Sequence, residues 1–231
     1  MQKIYTYEQL VNALKSLTDS KYDGFNNKIV NSVYPTIGVR TPDMRAVAKA
    51  VPTEYRDGVL AEFFAQKDYF YEIITVAGFI AARKGDYIKT REYMKKLIPL
   101  FGSWAHVDTV IPSLDWVDRH TLLNDFEYLL NRDGQYEVRS YVIMLLDCVT
   151  DDMIDFVLAK IPTIRTGEYY IDMGLAWLIA ECLVKFYDKT LPLIERKTFP
   201  KFIHNKAIQK ARESFRIDGD KKAYLNSLKV K

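Results

Sequence analysis

Apolar residues recur along this chain at intervals of three and four, and almost nowhere at every second position. From Tyr7 to Leu17 the positions Leu10, Val11, Leu14 and Leu17 fall on one face of a helix. Thr41 and Pro42 read as a cap followed by a first-turn proline, opening a second amphipathic helix that runs to Ala50 with Met44, Val47 and Ala48 inward. The same period predicts helices over Tyr55 to Ala65, Tyr69 to Lys84, Tyr87 to Ile98, Ser103 to Ile111, Leu114 to Leu130 and Glu137 to Cys148. It continues over Met153 to Ile161, Tyr169 to Lys185, Thr190 to Glu195, His204 to Phe215 and Lys221 to Lys229. Gly and Pro fall mostly between these segments, as at Tyr34-Pro35, Gly38, Gly85-Asp86, Gly102-Ser103, Asp133-Gly134 and Ile161-Pro162. The chain is therefore expected to be all-α.

Two segments, Tyr71 to Ala82 and Ile171 to Phe186, are apolar around most of their circumference, which is the pattern of helices sandwiched between neighbours. A stack of helix pairs buries them in that way. Glu72, Trp104, Arg139 and Trp177 occupy helix positions separated by 32, 35 and 38 residues, the period of two-helix repeats such as HEAT units. The expected architecture is an α-α superhelix, a solenoid of HEAT-like helix pairs making one domain over residues 1–231.

Composition narrows the setting. A hydrophobic content of 48% over 231 residues supplies a continuous core and argues against disorder. No apolar run is long enough to span a bilayer and the start, MQKIYTYEQL, lacks a secretion pattern, so a cytosolic protein with no membrane contact is expected; a monomer is expected as well. Cys148 and Cys182 lie inside apolar helical patterns and read as small core residues of a reducing compartment. The net charge of +3 hides an asymmetry: from Glu195 to Lys231 eleven Lys or Arg face four Asp or Glu, a net +7, which leaves −4 for the rest. Such a tail is either a solvated helix face or a surface for phosphates.

No Walker loop, GxGxxG, zinc spacing or nucleophile elbow occurs, and His106, His120 and His204 do not pair at helical spacing, so neither metal nor cofactor is expected. Four features remain. Ser103 can cap a helix in which Trp104 and Asp108, at i and i+4, put an aromatic plate beside a carboxylate; alone, they also fit a core indole and a surface acid. Arg139 begins an apolar helix and could equally pair with Glu137, and Trp177 sits in a helix where a core role is the plain alternative. In the tail, Lys206, Lys210 and Arg216 project from related faces while Ala207, Ile208, Ala211 and Phe215 face inward.

These residues carry a resemblance. The stretches Ile37 to Arg45, Ser103 to Asp108, Arg139, Met173 to Leu178 with Lys185-Phe186, and Asn205 to Lys210 with Glu213-Ser214 are similar, in order and spacing, to the DNA alkylation repair family of HEAT-like repeat proteins, the AlkD-like DNA glycosylases. The likeness spans about residues 25 to 225. It implies a concave basic surface that holds double-stranded DNA, with Trp104, Asp108, Trp177 and Arg139 near the lesion and their tips open to solvent.

What the resemblance implies chemically is excision of N3- or N7-alkylated purines. Asp108 would stabilise the oxocarbenium-like transition state, and Trp104 and Trp177 would contact the deoxyribose. Arg139, Arg40, Lys206, Lys210 and Arg212 would contact DNA. The alternatives are a DNA-structure binder without catalysis and a protein-binding helical scaffold.

Overall fold

A computed structural model describes residues 2–231, and among them helices account for all regular structure, with no strand. The fourteen α-helices among the described residues are α1 (Tyr7–Lys15), α2 (Ser20–Val30), α3 (Thr41–Ala50), α4 (Arg56–Phe64), α5 (Tyr71–Ala81), α6 (Tyr87–Leu97) and α7 (Trp104–Val110), followed by α8 (Arg119–Phe126), α9 (Gln135–Asp147), α10 (Ile154–Lys160), α11 (Tyr169–Lys185), α12 (Tyr187–Glu195), α13 (Lys201–Glu213) and α14 (Gly219–Ser227). They group into two compact units, the first ending at Val117 and the second running from Asp118 to Lys231. In each, helix-on-helix packing is that of an α-α superhelix.

In the first unit α3, α5 and α7 pack side by side, with α4 and α6 against α5. All of α5 is buried, as its all-round apolar pattern requires. Polar bonds between equivalent positions of successive helix pairs lock this row. The Glu72 carboxylate, fully buried on α5, accepts N–H bonds from Ile37, Gly38 and Val39 at 2.8–3.3 Å just before α3. Burial raises its pKa above the usual carboxylate range despite those donors. At the other end Arg83 donates to the carbonyls of Ala48 and Val51, closing the C-terminus of α3, and Trp116 Nε1 donates to Ala82 at 2.8 Å, closing that of α5.

The second unit repeats the scheme. There α9, α11 and α13 form the row, α8 packs on α9, α12 on α11 and α14 on α13. Lys185 closes the end of α9 at the Val149 carbonyl, 3.4 Å away, and Lys189 pairs with Asp155 at 2.9 Å. These links span 32 to 36 residues, which is the helix-pair period read from the sequence.

Four local expectations fail. Helix α2 has no counterpart among the expected segments; its sequence SKYDGFNNKIV is polar and buries only Val30, so it carries no stripe to read. Thr41 does not cap α3: Arg40 is the cap residue, without a side-chain bond, and Thr41-Pro42 fill the first turn. The segment Leu114 to Leu130 is not one helix, because Asp118 caps a new one by accepting from Thr121 N. Finally, α13 stops at Glu213, before Phe215. No helix among the described residues is long and apolar enough to cross a membrane.

Candidate functional site

The first unit presents Trp104 and Asp108 together, both partly exposed and one turn apart on α7. The start of this helix is fixed by buried groups. Ser103, fully buried, accepts from Ala105 N at 3.1 Å and donates its hydroxyl hydrogen to the Val30 carbonyl at 2.5 Å. Trp104 Nε1 donates to the Ile29 carbonyl at 3.1 Å, so the end of α2 orients the indole. His106 is fully buried beside Tyr71 and Phe101; its Nδ1 accepts from Gly102 N at 3.2 Å, which leaves Nε2 to donate to the Tyr71 carbonyl at 3.0 Å. Burial holds its pKa down to about 4, so the ring is neutral.

Close approach of α5 and α7 depends on one glycine. A Cβ on Gly78 would stand 2.5 and 2.7 Å from the two methyl carbons of Val110. Gly78→Ala is therefore expected to destabilise the protein by about 1–2 kcal/mol net, overpacking outweighing the helix-propensity gain. Urea titration checks this, and adding Val110→Ala should recover part of the loss through the space it opens. A Gly78→Ala protein as stable as the parent would mean that the two helices do not approach each other here.

Arg40, at the rim of the first unit, is exposed but engaged: it pairs with Asp19 at 3.2 Å and lies over the Tyr22 ring at 4.2 Å. A basic groove of about 490 Å³ in the same unit went unread in the sequence; Arg45, Lys49 and Lys84 rim it, above Phe79 and Trp116. Its only signal was the i, i+4 pair Arg45 and Lys49, hidden in a stretch of negative net charge.

In the second unit Arg139 is 5% exposed, so its expected solvent-open tip is not there. Its Nη1 donates to the Tyr170 carbonyl at 2.6 Å, and it runs along Gly174, where a Cβ would meet it at 3.2 Å; this accounts for the glycine in Met173-Gly174-Leu175. Trp177 is 37% exposed and lines an open cleft of about 380 Å³ with Glu181, Lys210, Glu213, Ser214 and Arg216. Both acids already have partners, Glu181 in Lys185 at 3.0 Å and Glu213 in the Gln209 amide at 3.1 Å. Lys210 and Arg216 have no ion-pair partner among the described residues, and the amide bond leaves Glu213 its charge, so the cleft mixes both signs.

Lys206 shares the Lys210 face of α13 and reaches Gln209 at 3.3 Å. Arg212 turns elsewhere, donating to Asn226 Oδ1 on α14 at 2.7 Å. Cys148 and Cys182 are buried free thiols, with pKa values pushed up to about 12 by burial. Among the described residues no three His, Cys, Asp or Glu side chains are grouped to hold a metal ion.

Searches of curated proteins and of solved structures each found no match. The sequence model of the family described as DNA alkylation repair enzyme matches residues 10–210, a span that takes in both interlocked helix rows, the Trp104 and Asp108 pair, Arg139, Trp177, Lys206 and Lys210. The chain belongs to the family of DNA alkylation repair enzymes.

Proposed function

We propose that the protein is a DNA glycosylase that excises N3- or N7-alkylated purines from duplex DNA, with Asp108 as its catalytic carboxylate. The observation that carries this reading is the Trp104 and Asp108 pair on one partly exposed face of α7, held by buried neutral groups. A purine alkylated at N3 or N7 is cationic. It leaves with the electron pair of the C1′–N9 bond, and positive charge moves to the deoxyribose. Asp108 stabilises that charge and takes the proton from the water that adds to C1′. The indole faces of Trp104 and Trp177 offer electron-rich surfaces to a cationic sugar or base.

Lys206 and Lys210 supply affinity that is independent of sequence, through release of counterions from phosphates. Arg40, Arg139 and Arg212 also serve as DNA contacts in this reading, but each already has a protein partner, so a phosphate bound there shares or replaces an existing bond. Neutralising both lysines as Lys206→Gln and Lys210→Gln is expected to weaken binding equally for all duplex sequences. The slope of log affinity against log salt should fall by about one for each phosphate that the protein no longer neutralises. An unchanged slope would place the phosphates elsewhere.

The deciding experiment is incubation with a duplex carrying one N7-methylguanine, then alkali cleavage at the abasic site. Time-dependent strand scission supports the glycosylase. Tight duplex binding without base release would identify a DNA-structure binder instead, and absence of duplex binding would end both.

A further inference from the structure

The groove on the first unit is lined by four cations, Arg45, Lys49, Arg83 and Lys84, and by one acid, Asp115. It runs past the C-terminal ends of α3 and α5. A lysine at such an end ordinarily complements the carbonyls that the last turn leaves open. Here several of those carbonyls already have donors: Arg83 holds Ala48 and Val51, and Trp116 holds Ala82. Lys49 and Lys84 are exposed, with no ion-pair partner among the described residues. Arg45 is held in place. Its guanidinium lies over the Phe79 ring, 4.1 Å from the ring centre, and its Nη2 donates to the Thr109 carbonyl at 3.4 Å. Thr109 directly follows Asp108 in α7, so this end of the groove adjoins the candidate carboxylate. Along the groove the Ser113 hydroxyl is enclosed without a hydrogen-bond partner among the described residues, a donor the fold leaves unused.

We propose that this groove seats backbone phosphates of the DNA beside the lesion, and that Arg45 is a positioning residue. By gripping a phosphate while bonded to the residue after Asp108, it sets where the strand lies against that carboxylate. The inference rests on the DNA reading above and deepens it, adding a phosphate seat on the first unit to the lysines of the second. The planar fork of a guanidinium matches two phosphate oxygens, whereas Lys49 and Lys84 act as point charges. Four positive charges against one negative, spread along one groove, fit a repeating anion, which a nucleic-acid strand offers. Continuity with the Trp104 and Asp108 helix favours DNA over an acidic protein segment.

The wild type, the double variant Lys49→Gln with Lys84→Gln, Arg45→Gln and Arg45→Lys are titrated with an unmodified duplex at several salt concentrations. Each is also assayed for single-turnover excision of N7-methylguanine at saturating protein. The double variant should lower the slope of log affinity against log salt by about one for each phosphate released, so by about one to two, and keep the saturated rate within about twofold. Arg45→Gln should lower the slope by about one and also slow saturated excision by about tenfold, because the strand is misplaced. Arg45→Lys should keep the slope but show the slower rate, since it carries the charge without the fork. Thermal unfolding of the double variant should match the wild type, because neither lysine has an ion pair to lose. A double variant with the wild-type slope overturns the phosphate seat, whatever becomes of the glycosylase reading. Equal saturated rates for Arg45→Gln and the wild type overturn the positioning role. If the wild type binds duplex without excising, the glycosylase reading and the role of Arg45 both fail, and the slopes decide the seat. If it binds no duplex, the DNA reading and the seat fall together, and an acidic protein segment becomes the occupant to test.

Discussion

Replacing Asp108 by Asn is expected to slow release of N7-methylguanine by about a hundredfold, while duplex affinity stays the same or rises slightly. Asparagine keeps the size of the side chain and one of its two oxygens as an acceptor, but removes the negative charge opposite the developing cation. Loss of one preorganised electrostatic partner typically lowers a rate by about 10²–10³, or about 2.7–4 kcal/mol. The lower end applies because a cationic purine is already a good leaving group. Binding moves the other way, since an anion has been taken from a surface that faces phosphates. Single-turnover excision with a fluorescent duplex measures the rate, and anisotropy measures affinity. Equal rates for both proteins would remove Asp108 from the reaction; a parallel fall in rate and affinity would make it a binding residue.

The second large effect is on stability against pH. In the folded protein His106 takes a proton only near pH 4, whereas in the unfolded chain it does so near 6.5. The unfolded state therefore binds the extra proton throughout that interval, so the contribution is complete above pH 6.5 and is lost as pH falls toward 4. A displacement of this size corresponds to about 3 kcal/mol over the window. Protonation would also set a second N–H on Nδ1 against the Gly102 N–H that it accepts, loosening the first turn of α7. His106→Gln offers one acceptor and one donor but never charges. Urea midpoints at pH 7.5 and 4.5 should separate for the wild type by clearly more than for His106→Gln. Parallel pH dependence in the two proteins would show that the imidazole is not held neutral.

Much of the fold was legible because helix pairs impose a period that local pattern can carry. The positions of Glu72, Trp104, Arg139 and Trp177 gave its length, and the structure expresses the same length as bonds from Arg83 to Val51, Trp116 to Ala82 and Lys185 to Val149. What pattern could not carry was α2, where nearly every side chain is polar and the helix is held by the Asp19 cap and by what it does for Trp104. The site divides on the same line. Trp104 and Asp108 lie on one helix, and i, i+4 geometry was enough to pair them. The burial of Arg139 and the turn of Arg212 toward Asn226 depend on partners 31 and 14 residues away, which no local window contains. Phe215 misled the periodic reading because the helix that would have turned it inward ends two residues earlier.

Those period-spanning bonds make chain length itself a constrained quantity. One residue inserted within α5 would turn everything that follows it in that helix by about 100°, swinging the Ala82 carbonyl at its end away from Trp116 Nε1 and leaving the end of α5 without its donor. A residue inserted beside Gly85, in the exposed stretch Lys84 to Asp86, would only lengthen a connection. Related chains should therefore differ in length at such outer connections and keep a fixed count through the inner row, where each helix pair is measured against the one before it.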